Sequence, residues 1–177
     1  DIRQMNMDII RRAGEILRAG GLTAFPTETV YGLGADALNE LAAKKIYAAK
    51  GRPSDNPLIV HIADMEALGR IAEDVPEQAK AAADAFWPGP LTMIFKKTEA
   101  VPLGTTGGLD TVAVRMPDHE AARELIRAGG GYIAAPSANT SGRPSPTTAQ
   151  HVEEDLAGRI DMIVDGGAVE IGVESTI

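Results

Sequence analysis

Short apolar runs alternate with amphipathic segments along the whole chain, and this alternation limits what it can fold into. Leu22–Phe25, Pro57–Ile62, Leu91–Phe95, Thr111–Arg115, Tyr132–Ala135 and Asp161–Val164 have the length of strands. Residues 8–19 put Ile9, Ala13, Ile16 and Leu17 on one helical face, ended by Gly20-Gly21. Asn39 caps a helix running to about Ala49, Asp64 starts a short one, and Pro76 opens another to about Phe86. Trp87-Pro88-Gly89-Pro90 is a rigid turn. Asp118 caps a helix that Gly129-Gly130-Gly131 breaks, and Ser145-Pro146 starts one to about Leu156. Pro26 to Asp36 and residues 102–110 read as polar, Gly-bearing loops. There is no internal repeat and no low-complexity linker. The expectation is α/β: one domain, with a twisted mixed sheet flanked by helices.

The absence of cysteine excludes disulfides, thiolate metal sites and a cysteine nucleophile, and fits a reducing cytoplasm. No apolar run approaches the length of a membrane span, and Asp1 to Asn6 lack a signal-peptide core. The net charge of −8 makes a poor general binder of nucleic acid. The charge is uneven. Residues 41–60 carry Lys44, Lys45, Lys50 and Arg52 against Asp55 alone, whereas residues 151–177 carry seven acids against Arg159. A basic patch on an acidic body points to a small anionic ligand. Lys44 and Lys45 read as a solvated helix face.

Two polar stretches stand out. Lys50-Gly51-Arg52-Pro53 puts two cations on a loop that Pro53, Asn56 and Pro57 stiffen. Ser137-Ala138-Asn139 puts a hydroxyl and an amide just beyond an apolar strand, where α/β sheets usually bind ligands. Cations with neutral donors suit a triphosphate. Each stretch also has a plainer reading: the cations complement a helix C-terminus, and Ser and Asn form turns. There is no P-loop signature. Gly32-Leu33-Gly34-Ala35-Asp36-Ala37 fits a loose dinucleotide fingerprint, but five residues separate it from Pro26, so these glycines read as close backbone approaches. Arg115, ending a strand, is either an ion-pair partner or a carboxylate clamp. His61 reads by default as a satisfied strand histidine, while His119 and His151 read as solvated. Glu174-Ser175-Thr176-Ile177 reads as a frayed end.

Pro26-Thr27-Glu28-Thr29-Val30-Tyr31-Gly32-Leu33-Gly34, Lys50-x-Arg52, Asn56-Pro57-Leu58-Ile59-Val60-His61, Ser137-x-Asn139 and Ser145-Pro146-Thr147 together resemble the YrdC-like family of threonylcarbamoyl-AMP synthases. The resemblance runs from about Gly21 to Ile177. It implies a large concave sheet face and the formation of threonylcarbamoyl-AMP and pyrophosphate from L-threonine, bicarbonate or carbon dioxide, and ATP. Magnesium would be carried with the ATP. The product would pass to a tRNA-modifying transferase complex, in the cytoplasm and away from any membrane. By motif, Lys50 and Arg52 would act on the phosphates. Arg52, Asn56, Thr111, Ser137, Asn139 and Thr147 would hold ATP. Thr29, Tyr31, His61, Arg115 and Ser175 would hold L-threonine. The family carries at least one further strand after this Glu-Ser-Thr segment, and its long members add a linker and a second domain. Residues 1–177 are thus expected to be the catalytic domain of a long form. Two other readings stay open: a carbamoyl-adenylate-handling domain of a carbamoyltransferase, and a module that binds tRNA directly.

Overall fold

The computed structural model describes residues 2–177, with side chains from Asn6 onward; Asp1 lies outside them. The eight strands are β1 (Thr23–Pro26), β2 (Tyr31–Asp36), β3 (Ile59–His61), β4 (Ala72–Glu73), β5 (Thr92–Lys97), β6 (Thr111–Arg115), β7 (Ile133–Ala134) and β8 (Met162–Ile163). They form one mixed sheet in the order β4-β5-β6-β3-β7-β2-β1-β8. Among the described strands, β3–β6 and β1–β8 are the parallel pairs. The six helices are α1 (Ile2–Arg18), α2 (Glu40–Lys50), α3 (Leu68–Ile71), α4 (Glu77–Phe86), α5 (Glu120–Ala128) and α6 (Ala149–Leu156). This is the expected α/β architecture.

The sheet buries side chains on both faces. On one, Leu33, Leu58, Val60, Val112 and Val114 pack with Ile46 of α2 and Leu156 of α6. On the other, Phe25, Ile133 and Ala135 meet Leu17 of α1 and Leu125 and Ile126 of α5. The second face is covered only in part. Helices α1 and α5 lie over β1 and β7, while Ile59 and Ala113 are half-buried and Ile94 is 57% exposed. That uncovered area is the floor of the candidate site.

Several local readings need correction. Residues 31–36, expected as loop, form β2, paired with β1 from Thr23–Gly34 to Pro26–Tyr31. The glycines hide the strand from a propensity reading, yet packing requires them. A β-carbon on Gly34 would lie 2.9 Å from the Phe25 ring and 3.1 Å from the Thr23 carbonyl. Helix α1 starts at Ile2, six residues before the expected start. The cap of α5 is His119, not Asp118: the imidazole Nδ1 accepts the Ala122 N–H at 3.2 Å, while Asp118 pairs with Arg123. His119 is therefore half-buried rather than solvated, and burial lowers its pKa. Helix α6 is capped by Thr148, whose hydroxyl accepts from His151 N at 3.2 Å. Ser145 is drawn away to Glu174, and the Pro146 carbonyl accepts from Tyr31 N. Asn39 caps α2 as expected, accepting from Leu41 N and Ala42 N.

Candidate active site

Strand register builds the site's floor. Thr92 lies opposite Arg115, Arg115 opposite His61, and His61 opposite Ile133. Residues facing each other in register share a sheet face, so these side chains form one row. Ile94, Ala113 and Ile59 form the next row, and Thr111 stands beyond it. Thr111 and Arg115 therefore project from the same face of β6, about 13 Å apart along the strand.

Arg115 is 4% exposed, and each of its three guanidinium nitrogens donates within the protein. Its Nε donates to the Gly89 carbonyl (3.2 Å), Nη1 to Thr29 Oγ1 (3.1 Å), and Nη2 to the Glu28 carboxylate. Of the two readings left open by sequence, the structure shows the ion-pair partner, and the partner is Glu28. The turn Thr27–Val30 that carries Glu28 is locked by its own hydroxyls. Thr27 Oγ1 donates to the Val30 carbonyl at 2.7 Å and lies 3.0 Å from Thr29 Oγ1. Since the Thr27 proton is spent on Val30, the Thr29 hydroxyl donates to Thr27 and accepts from Arg115.

His61, next to Arg115 in this row, is buried. Its Nδ1 lies 3.1 Å from the Ile59 carbonyl. Burial, then the Arg115 charge, lowers its pKa to about 3, so the ring is neutral. Resemblance assigns His61 to the ligand; the contact with Ile59 is what the default reading of a satisfied strand histidine expects, and the register sets the ring beside Arg115.

The cationic end is built at the C-terminus of α2. Gly51 ends the helix in the left-handed conformation (φ 61°). That leaves Lys50, 3% exposed, pointing into the loop after β7. Its ammonium donates to the Ser137 carbonyl, to the Asn139 carbonyl (2.6 Å) and, more weakly, to Asn139 Oδ1 (3.5 Å). Ser141 N returns a bond to the Lys50 carbonyl. Asn139 closes the same loop through Thr140 O and Arg143 O. Burial, followed by the Arg52 charge, lowers the Lys50 pKa to about 8. Arg52 Nη2 donates to the Pro57 carbonyl at 2.9 Å, holding the stiff loop that leads into β3. Asn56 is exposed, and Thr111 is half-buried at the end of the sheet where Pro57 enters it.

Residues 165–177 run as a strap between these ends. Val169 N bonds Thr147 O, Gly172 N bonds Thr29 O, and Thr176 N bonds Pro90 O. Tyr31 anchors the strap from below, its hydroxyl donating to Gly167 O (2.7 Å) and accepting from Gly166 N (3.1 Å). Ser175 Oγ meets Thr92 Oγ1 at 2.8 Å, and Thr176 bridges Leu91 in parallel. The segment expected to fray is thus bonded into the sheet. Glu174 bonds Ser145 and lies near enough to favour the Lys50 charge. Beside it, a cavity of about 340 Å³ is lined by Arg143, Ser145, Thr147 and His151.

The structure therefore brings Thr29, His61, Arg115 and Ser175 to one end, and Lys50, Ser137 and Asn139 to the other. Tyr31 serves the strap, with its hydroxyl occupied. Glu28, Thr92 and Glu174 belong to the site but were not singled out by sequence. Glu28 lay inside a quoted motif, and only the fold brings it to Arg115. Among the described residues, no group of three His, Asp or Glu side chains converges as a metal cage.

The Sua5/YciO/YrdC family model, whose description is telomere recombination, matches residues 15–177. The threonylcarbamoyl-AMP synthase of Pyrococcus abyssi is 61% identical over 168 residues, covering 95% of this chain and 49% of that protein. The Bacillus subtilis enzyme of the same name is 60% identical over 169 residues, with the same coverage. The crystal structure of P. abyssi Sua5 complexed with L-threonine superposes with a TM-score of 0.93 at 61% identity, covering 94% of this chain and 49% of that one. The chain thus spans about half the length of these relatives. On the match across residues 15–177 and on these identities, the chain belongs to the Sua5/YciO/YrdC family.

Proposed function

We propose that this chain forms L-threonylcarbamoyl-AMP and pyrophosphate from L-threonine, bicarbonate or carbon dioxide, and ATP. The observation that carries the reading is the single open floor with unlike ends. A guanidinium ringed by hydroxyls stands at one end. An ammonium, a second guanidinium and a polar loop stand at the other, with about 13 Å between Arg115 and Thr111. An amino acid joined to a nucleotide through one acyl-phosphate link needs that arrangement. The names of the P. abyssi and B. subtilis relatives support it.

Arg115 would take the amino-acid carboxylate, with Thr29 and Ser175 beside it, His61 next to it in the same row, and Tyr31 fixing the strap that closes the pocket. Ser137, Asn139, Thr111, Thr147 and Asn56 would shape the nucleotide end, and Lys50 and Arg52 would face the phosphates. The threonine ammonium first gives a proton to solvent; the free amine adds to carbon dioxide, loses a second proton to solvent and becomes a carbamate. A carbamate oxygen then attacks the α-phosphorus, and the bond to the bridging oxygen breaks as pyrophosphate leaves. No protein nucleophile is needed. The protein contributes alignment of the two reactants and cations for the developing phosphate charge. Without a protein-built cage, a magnesium ion would ride on the triphosphate oxygens and neutralise part of their charge. The product suits a downstream transferase acting on tRNA. Pyrophosphate release, measured with each reactant omitted in turn, tests the proposal. The expected result is dependence on both L-threonine and bicarbonate; ATP turnover indifferent to threonine would overturn it.

A further inference from the structure

Arg115 is not a free cation waiting for an anion. Each guanidinium nitrogen already donates inside the protein, and the Glu28 carboxylate neutralises the charge. The two side chains are 5% and 12% exposed. Glu28 is not poised to swing away. Its second carboxylate oxygen accepts the Asp118 N–H at 2.5 Å, and its backbone carbonyl accepts from Ile171 N at 3.3 Å. Nor is it sealed off: its side chain is 12% exposed, and it also lines a cavity of about 340 Å³ with Thr27, Asp118 and His119, which Arg115 does not line.

A simple carboxylate approaching Arg115 meets the Glu28 charge as well, and in a site this buried the repulsion is barely screened. A ligand carrying a cation next to its carboxylate escapes that conflict, because its ammonium can face Glu28 while its carboxylate faces Arg115. We infer that Glu28 and Arg115 act as one dipolar clamp, in which Glu28 receives the α-ammonium and makes the site select a zwitterionic amino acid over the corresponding bare acid. Glu28 is then a specificity-determining residue of the amino-acid end. The inference rests on the threonine reading given above.

The test is calorimetric titration of the protein with L-threonine and with 3-hydroxybutyrate, which is threonine without its amine. Wild-type protein is expected to bind threonine at least about 10-fold more tightly, equivalent to 1.4 kcal/mol. In Glu28→Gln, threonine should weaken and 3-hydroxybutyrate strengthen, closing the gap; Glu28→Asp, which keeps the charge, should preserve it. Melting curves check that the variants fold, and the wild-type comparison stands without them. Equal wild-type affinities for the two ligands would overturn the clamp and leave the threonine reading intact. So would a Glu28→Gln protein that keeps the full gap or binds threonine more tightly, or a folded Glu28→Asp protein that loses the gap. Failure of wild-type protein to bind threonine at all would overturn both.

Discussion

Lys50 shows how much a single side chain can be asked to do. Its ammonium is buried, holds the 137–141 loop through two carbonyls, and is proposed to meet the nucleotide's phosphates. Lys50→Ala should cut pyrophosphate release by about 100-fold or more, the loss typical of one preorganised charge-stabilising group; steady-state assay of the folded variant checks this. Because the free-state pKa is near 8, ATP binding should weaken as pH rises through 8, where the ammonium gives up its proton before the phosphates can use it. Titrations between pH 7 and 9 should show this decline in wild-type protein and not in Lys50→Ala. His61 makes the opposite kind of prediction, about stability. Its folded pKa of about 3 lies below the value near 6.5 of an unfolded histidine. The fold therefore favours the neutral ring, and its contribution is complete above pH 6.5 and lost as pH falls toward 3. Across that window the wild type should lose up to about 1.4 kcal/mol per pH unit more than His61→Gln, read from denaturant melts. The chemistry of both residues was legible from residue type and neighbours. Their burial was not, because it depends on what α2 and the β3–β7 pairing cover.

At the scale of elements, the hairpin of β1 and β2 carries the most consequence. Its turn holds Thr27, Glu28 and Thr29, and its strands set where that turn sits over β6. Sequence placed β1, β3, β6 and β7 within a residue or two, because β-branched and apolar runs announce themselves. It missed β2, where two glycines displace the usual strand residues, and β4, which is only two residues long. Gly34→Ala should destabilise the protein by about 1–3 kcal/mol, the cost of overpacking a tight core, because the new methyl would meet Phe25, Ile133 and the Thr23 carbonyl. Equilibrium unfolding measures the loss, and hydrogen exchange should place the added opening in β1 and β2. The helix caps were misread for a related reason. Asp118 and Ser145 are good capping residues, but Arg123 and Glu174 engage them, so His119 and Thr148 cap instead. Local preference yields where another side chain, near in sequence for Asp118 and far for Ser145, takes up the same group.

For the molecule as a whole, ligand choice and sheet geometry are the same question. On the threonine reading, valine matches the substrate in shape but lacks the hydroxyl that the proposed pocket would bond, at about 1–3 kcal/mol. It should bind at least about 10-fold more weakly, and at equal concentration raise the melting temperature less, as differential calorimetry would show. Family membership and the α/β class were legible in the motifs. What no motif stated was that Ser175, Thr92, Arg115 and His61 fall in one line across four separate stretches of chain. That line has a bearing on how such a protein can change over evolutionary time. Substitutions along it adjust the pocket one contact at a time. A single inserted or deleted residue within β3, β5 or β6 is of another order, since side chains beyond it swap faces, and in β6 the guanidinium would be turned into the opposite core. Length variation should therefore gather outside the strands, at exposed loop positions such as 108–109 between β5 and β6. The sheet's pairing acts as the reading frame of the site, tolerant of misspelling and intolerant of a shift.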